Sequence, residues 1–209
     1  ERSNTHAAIA SGDIDGDGRL DIATVGSYGN TLSIYRNTSS TSNVSFDTRV
    51  YFSTGTFPMG VAIRDLDMDG KPDVVVTNQT SGTVSIFRNT STIGHISFAA
   101  RIDFVTGSYP TGVAIGDLDG DSKPDLVIAN YFSSSVSVFR NTSSSGTVSL
   151  SARQDFSATT QPSSIALGDL DGDGKIDIAV GNDFPSVSVY RNISTPGSIS
   201  LSSKVELSF

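Results

Sequence analysis

Apolar and polar residues along this chain alternate in short runs, and no stretch repeats its apolar residues at helical spacing. Within "TVSIFR", Val84 and Ile86 alternate with Ser85, the period-2 pattern of a strand from Thr83 to Arg88. The same reading predicts a strand over Gly60–Leu66, a second in "DVVVTN" (73–78), and one near Ile96–Phe104 beyond a polar linker. Gly, Ser, Thr and β-branched residues dominate, so helices find no place.

The pattern recurs. "VAIRDLD" (61–67) matches "VAIGDLD" (113–119), "IALGDLD" (165–171) and "IASGDID" (9–15), each start 52 residues from the next. "TVSIFRNTS" likewise matches "TLSIYRNTS", "SVSVFRNTS" and "SVSVYRNIS", the last displaced by one residue because the turn "DFPS" before it is shorter. A fixed period of this length decides the fold class before any local detail. The chain is predicted to be all-β, a β-propeller or propeller segment of four four-stranded blades, approximately 1–52, 53–104, 105–156 and 157–209. A β-helix usually has shorter coils, and a β-sandwich gives no reason for equal repeats. Ala62, Ala114 and Ala166 at strand centres permit close packing between blades.

Each repeat carries a run of four aspartates: "DIDGDGRLD" at Asp13, "DLDMDGKPD" at Asp65, "DLDGDSKPD" at Asp117 and "DLDGDGKID" at Asp169. Like charges this close repel, and packing alone gives no cause for them. Calcium takes six to eight oxygen ligands at roughly 2.3–2.6 Å, and a curled loop points alternate residues inward. Positions 1, 3, 5 and 9 are therefore candidate ligands: Asp13, Asp15, Asp17 and Asp21; Asp65, Asp67, Asp69 and Asp73; Asp117, Asp119, Asp121 and Asp125; Asp169, Asp171, Asp173 and Asp177. The backbone carbonyl at position 7 is a further candidate, from Arg19, Lys71, Lys123 and Lys175, whose side chains are then expected to point outward.

The curl needs residues that tolerate positive φ. Position 6 is Gly18, Gly70 and Gly174 but Ser122 in the third loop; position 4 is Gly16, Gly120 and Gly172 but Met68 in the second. A left-handed Ser122 costs on the order of 1 kcal/mol, so the third site is expected to bind most weakly. An EF-hand would need a bidentate Glu at position 12 and flanking helices. Here position 12 is Thr24, Val76, Ile128 or Val180, and the flanks read as strands. Magnesium seldom uses four carboxylates.

"VAIGDLDGDSKPDLVIAN" (113–130) and its counterparts resemble the FG-GAP or VCBS repeat family, which includes the propeller of integrin α chains. The resemblance covers essentially the whole chain. It implies that the loop joins the first two strands of a blade, and that calcium, held by the four Asp and the position-7 carbonyl, stabilises the blade without reacting. Integrin-like propellers usually have seven blades, and this chain has four repeats. Three assemblies follow: a four-bladed ring within one chain, an eight-bladed ring of two chains, or a piece of a longer propeller or array.

Charge changes the picture next. The net charge is −8, and sixteen of the twenty Asp lie in the four loops, so four bound divalent cations would bring the total near zero. The acidity is thus local, and an acidic chain is a poor nucleic-acid binder. No stretch of apolar residues is long enough to span a membrane. There is no Cys, and the chain begins at Glu1 without Met, as expected of a processed product or an excised part.

"RNTS" and "RNIS" after the third strand give the N-x-[ST] pattern at Asn37, Asn89, Asn141 and Asn192, with further matches at Asn43 and Asn78. They read either as glycosylation sites along one blade edge or as strand ends that start a turn through the Asn side chain. The adjacent Arg is assigned a structural role on an exposed strand face. His6 and His95 occupy non-equivalent positions and read as surface residues, and no nucleophile motif appears.

These features predict a non-catalytic module, extracellular or at the cell surface, that binds a glycan or protein. A structural reading has copies of the chain joined in a ring or fibre as a glycosylated coat. A polysaccharide hydrolase or lyase built on the propeller is the third class.

Overall fold

The computed structural model describes residues 6–208. Among these it contains four sheets, each a sequential antiparallel meander of four strands. The first is β1 (His6–Gly12), β2 (Asp21–Gly26), β3 (Thr31–Tyr35) and β4 (Val50–Ser53). The second is β5 (Pro58–Arg64), β6 (Asp73–Asn78), β7 (Thr83–Phe87) and β8 (Ile102–Val105). The third is β9 (Pro110–Gly116), β10 (Asp125–Asn130), β11 (Ser135–Phe139) and β12 (Gln154–Ser157). The fourth is β13 (Pro162–Gly168), β14 (Asp177–Asn182), β15 (Ser186–Tyr190) and β16 (Val205–Ser208).

The first strand ends earlier than its apolar run. β5 stops at Arg64, because the chain curls from Asp65 onward into the aspartate loop. The fourth strand is the larger difference. The stretch near Ile96–Phe104 is not one strand: β8 is confined to Ile102–Val105, and Ile96 belongs to a separate arm closed by the bridges Asn89–Phe98 and Thr92–His95. Gly94, at φ 83°, turns this arm where a side chain would be strained. Each repeat has an equivalent arm, closed by Asn37–Phe46, Asn141–Leu150 and Asn192–Leu201.

The chain divides into two compact units, one with β1 to β8 and the other with β9 to β16 together with Leu66–Met68. In the first, β5 packs against β1 and β2. Val25, Leu32, Ile34, Val74 and Val76 fill the space between these sheets, with Phe52, Phe87 and Phe98 edge to face beside them. In the second, β13 packs against β9 and β10 around Val127, Val136, Ile178 and Val180. This side-by-side stacking of four-stranded meanders is that of propeller-like blades. All of β6 and all of β10 are buried, as befits middle strands. No helix among the described residues is long and apolar enough to cross a membrane.

Close approach of the first strands is a strict requirement at one point. A Cβ on Gly112 would lie 2.9 Å from the Ser163 carbonyl oxygen, a backbone atom that has no rotamer in which to retreat. Gly112→Ala is expected to cost about 1–3 kcal/mol as an overpacking change. Urea melts of the variant and the parent protein measure it, and an unchanged midpoint would contradict so tight a β9–β13 contact.

Candidate metal centres

The loop from β1 to β2 is folded by its own carboxylates. Asp13 Oδ1 accepts the N–H groups of Gly16 and Asp17, and its Oδ2 accepts that of Gly18. Asp15 Oδ1 accepts the Asp17 N–H, and Asp17 Oδ1 accepts the Arg19 N–H. Asp117 and Asp169 repeat the pattern at position 1, each holding the N–H groups of positions 4 and 6. The loop therefore closes on position 1, which draws the following carboxylates together.

In the first loop one oxygen from each of Asp13, Asp15 and Asp17 lies within 4.8 Å of the others. In the remaining loops the same closeness joins Asp65, Asp67 and Asp73; Asp117, Asp119 and Asp125; and Asp169, Asp171 and Asp177. Ligands at about 2.3–2.6 Å from one calcium ion are at most about 5 Å apart, so each triad fits within one coordination sphere. Hard carboxylate oxygens suit that ion, and each repeat thus holds an arrangement matching a Ca²⁺ site. The fourth triad is the most open, with Asp169 and Asp171 exposed and Asp177 buried. Beside the third loop a cleft of 420 Å³, bordered by Asp117, Asp119, Lys175 and Pro196, leaves room for water to complete a coordination shell.

The remaining predicted carboxylates have other neighbours. Asp21 is fully buried, with the N–H groups of Ile14 and Asn37 on its two oxygens. Asp125 and Asp177 make the same pair of bonds, to Leu118 and Asn141 and to Leu170 and Asn192. Position 9 thus ties the loop's entry to the end of the third strand while also offering an oxygen to the triad in later repeats. Burial pushes the Asp125 carboxyl up to about 6, against the N–H groups of Asn141 and Leu118 that lower it, with Asp119 and Asp121 adding to the rise. Burial also raises Asp21. Asp69, Asp121 and Asp173 at position 5 accept the N–H of position 7.

Two sets of cations approach the loops. The position-7 side chains do not point freely outward. Lys71, Lys123 and Lys175 donate from Nζ to the carbonyls of Ser91, Ser143 and Ser194, and Arg19 Nε donates to the Asn37 carbonyl. The second set is the Arg after each third strand. Arg36 lies 3.6 Å from Asp15 and 3.7 Å from Asp17, Arg88 lies 3.7 Å from Asp69, and Arg140 lies 3.5 Å from Asp121. Arg191 bonds Asp171 and Asp173, and holds the Asp171 carboxyl below its ordinary range. Sequence reading placed these Arg on a strand face and missed their charge partners.

Three of the four phased Asn have a different role from a sugar acceptor. Asn89, Asn141 and Asn192 are buried, and each gives its two amide hydrogens to carbonyls: Ile14 and Pro72, Leu66 and Pro124, Leu118 and Ile176. Their Oδ1 atoms accept the N–H groups of Ser91, Ser143 and Ser194. A glycan on Nδ2 would replace one of the two bonded hydrogens and need room where the side chain is buried, so at these three positions the N-x-[ST] reading gives way to an internal latch. Asn37 is half-buried and donates to the Leu20 carbonyl. His95 is exposed, and the side chain of His6 lies outside the described residues.

Both special glycine positions are left-handed, as their spacing implied. Ser122 has φ 69°, and Met68 has φ 56°, so the second loop carries the same strain as the third. The expectation of one weak site thus extends to two.

The family model of the FG-GAP-like repeat matches the chain three times in tandem, over residues 13–76, 65–128 and 117–180. No curated protein matches the chain significantly. Among solved structures, BBS1N in complex with ARL6DN is 13% identical with a TM-score of 0.62, over 97% of this chain and 56% of its own. Virginiamycin B lyase from Staphylococcus aureus is 11% identical with a TM-score of 0.59, over 96% of this chain and 56% of the lyase. The exotype rhamnogalacturonan lyase YesX is 14% identical with a TM-score of 0.53, over 94% of this chain and 47% of the lyase. The chain thus spans about half the length of these structures, and at such identity the likeness is one of fold.

Calcium bound to the folded loops stabilises them by mass action, so chelator should lower the melting temperature and added calcium should restore it. In chelator, the raised Asp125 carboxyl contributes stability in its protonated form, and that contribution is lost as pH rises from 3.8 through about 6. Calcium bound to the same carboxylate reverses this trend, because the ion displaces the proton. Melting curves across this pH range with and without calcium check both signs. Ser122→Gly and Met68→Gly should each add about 1 kcal/mol by relieving a left-handed residue. Calcium titration calorimetry should register tighter binding in both variants.

Proposed function

Because this chain belongs to the FG-GAP-like repeat family, we propose that it is a calcium-stabilised β-propeller, or a segment of one, that works by binding and not by catalysis. The supporting observation is the bonding of the loop carboxylates. Asp13, Asp15 and Asp21 are each occupied by backbone N–H groups that shape the loop or tie it to the next arm. An ion held among such ligands has the role of a structural rivet. The carbonyls of Arg19, Lys71, Lys123 and Lys175 are assigned as its additional oxygen ligands. Calcium at these sites suits an extracellular or cell-surface setting, where the ion is plentiful.

The ligand then belongs at the other end of each sheet, at the turns joining the second strand to the third. In the second unit Tyr109, Tyr131 and Phe132 gather there, with ring centroids 4.2 Å apart for Tyr109 and Phe132 and 5.3 Å for Tyr131 and Phe132. The Tyr131 hydroxyl donates to Asp183, and Phe132 is exposed. Tyr109 sits at φ 64° directly before Pro110, a strained setting of the kind that clusters at binding sites. Tyr28 and Phe57 make a smaller edge-to-face pair at the equivalent end in the first unit. The exposed Phe132 ring beside hydroxyl and carboxylate groups suits a sugar, whose C–H face stacks while its hydroxyls bond. This chemistry favours a glycan ligand, with a protein side chain as the alternative.

A glycan array in calcium tests the reading. Binding should be found and should fall at least tenfold in Phe132→Ala and Tyr131→Ala, with the melting temperature kept. Turnover of a polysaccharide panel, or binding indifferent to both substitutions, would reject it.

A further inference from the structure

The arginine that follows each third strand stands beside carboxylates that also form the metal triads. Arg36 Nη1 lies 3.6 Å from Asp15 Oδ2 and 3.7 Å from Asp17 Oδ2. Arg140 Nη1 lies 3.8 Å from Asp119 Oδ2 and 3.5 Å from Asp121 Oδ2. Asp15 and Asp119, both at loop position 3, are buried and each belongs to a triad. Asp17 is also bonded by Arg19, so Arg36 counts most at Asp15.

These separations exceed the roughly 2.7–2.9 Å of a charge-assisted hydrogen bond. Arg36 and Arg140 therefore face their loops as nearby charges more than as bonded partners. A divalent ion taken up by the same carboxylates is repelled by a guanidinium so placed, and burial of the position-3 side chain limits the screening of that repulsion. The same guanidinium offsets the mutual repulsion of the carboxylates when no ion is there. One charge thus supports the metal-free loop and opposes the loaded one.

The first repeat adds a second carboxylate to this balance. Arg36 donates from Nε to Asp47 Oδ2 at 2.8 Å, and its Nη2 lies 2.6 Å from the same oxygen, which leaves Nη1 toward the loop. Asp47 sits opposite Arg36, with its N–H on the Arg36 carbonyl. The residues placed in the same way on Arg88, Arg140 and Arg191 are Ala99, Ser151 and Ser202, none of them charged. We propose that this arginine is a built-in competitor of calcium that sets how tightly each loop takes up the ion, and that Asp47 draws it aside in the first repeat alone. This role rests on calcium as the ion the loops hold, and it is independent of what the aromatic turns bind.

Calcium chloride titrated into the whole chain, followed by amide NMR, reads the loops one at a time. The Gly18 N–H, held by Asp13, reports the first loop, and the Gly174 N–H, held by Asp169, serves as the control in the fourth. Arg36→Gln should tighten calcium at the first loop at least threefold, and Arg36→Lys, which keeps the charge, should restore the parent value. Asp47→Asn should weaken it by a similar factor, and that loss should vanish in the Arg36→Gln background. The Gly174 titration should not move in any of them. In chelator, Arg36→Gln should melt below the parent, the opposite of its effect on calcium uptake. A supporting role alone would weaken calcium binding in Arg36→Gln, and that result, or equal affinity in all the variants, overturns the proposal. A parent protein whose loop amides ignore calcium would reject the metal reading itself, and this role with it.

Discussion

Four carboxylates within nine residues repel one another, and the fold is arranged around relieving that repulsion. Backbone N–H groups take part of the charge: Asp13 alone accepts three, and Asp21 accepts two from residues far apart in sequence. Guanidinium groups such as Arg36, 3.6 Å from the buried Asp15, take another part from the side. A divalent ion relieves most of what is left. The same bonds that hold the charges also bind the loop to the third strand and to the neighbouring arm. Charge relief and sheet stacking are therefore one set of interactions.

The latch asparagines depend on this arrangement. Asn89 sits where the position-9 carboxylate has fixed the end of β7, since Asp73 accepts the Asn89 N–H. Only then do its amide hydrogens reach Ile14 in the preceding sheet and Pro72 in its own. Removing such a side chain leaves buried carbonyls without donors, at about 1–3 kcal/mol each. The loop thus sets the register between sheets as well as the shape of its own turn.

Much of this was legible in the chain. The period fixed the number of sheets, the alternation in "TVSIF" placed β7, and the aspartate spacing located each triad. What stayed hidden depended on contacts across long stretches of sequence. Arg36 and Asp17 are far apart in the chain, and only the return of β3 to the loop end brings them together. The pattern of Asn89-Thr90-Ser91 is identical whether Asn faces water or a carbonyl, so burial alone separated acceptor from latch. The fourth strand was misplaced because Ile96 is apolar for a different reason: it plugs the core from the arm and takes no part in β8. Met68 stands where the other loops have glycine, and the curl needs positive φ at that position as well as at position 6. A usable signal was overlooked too. Ile14, Leu66 and Leu118 each set an apolar residue between two aspartates, and each is buried.

The buried latch also bears on the order of events during synthesis. N-glycosylation acts on a chain that is still extended, before any amide is sheltered. In a secretory compartment with that machinery, Asn89, Asn141 and Asn192 would be open to transfer until their sheets docked. A sugar attached in that interval would leave the finished stack unable to close at that seam. Folding would then have to outrun a modifying enzyme three times along one polypeptide, and the choice of host cell for making the protein becomes a choice about whether its repeats can assemble.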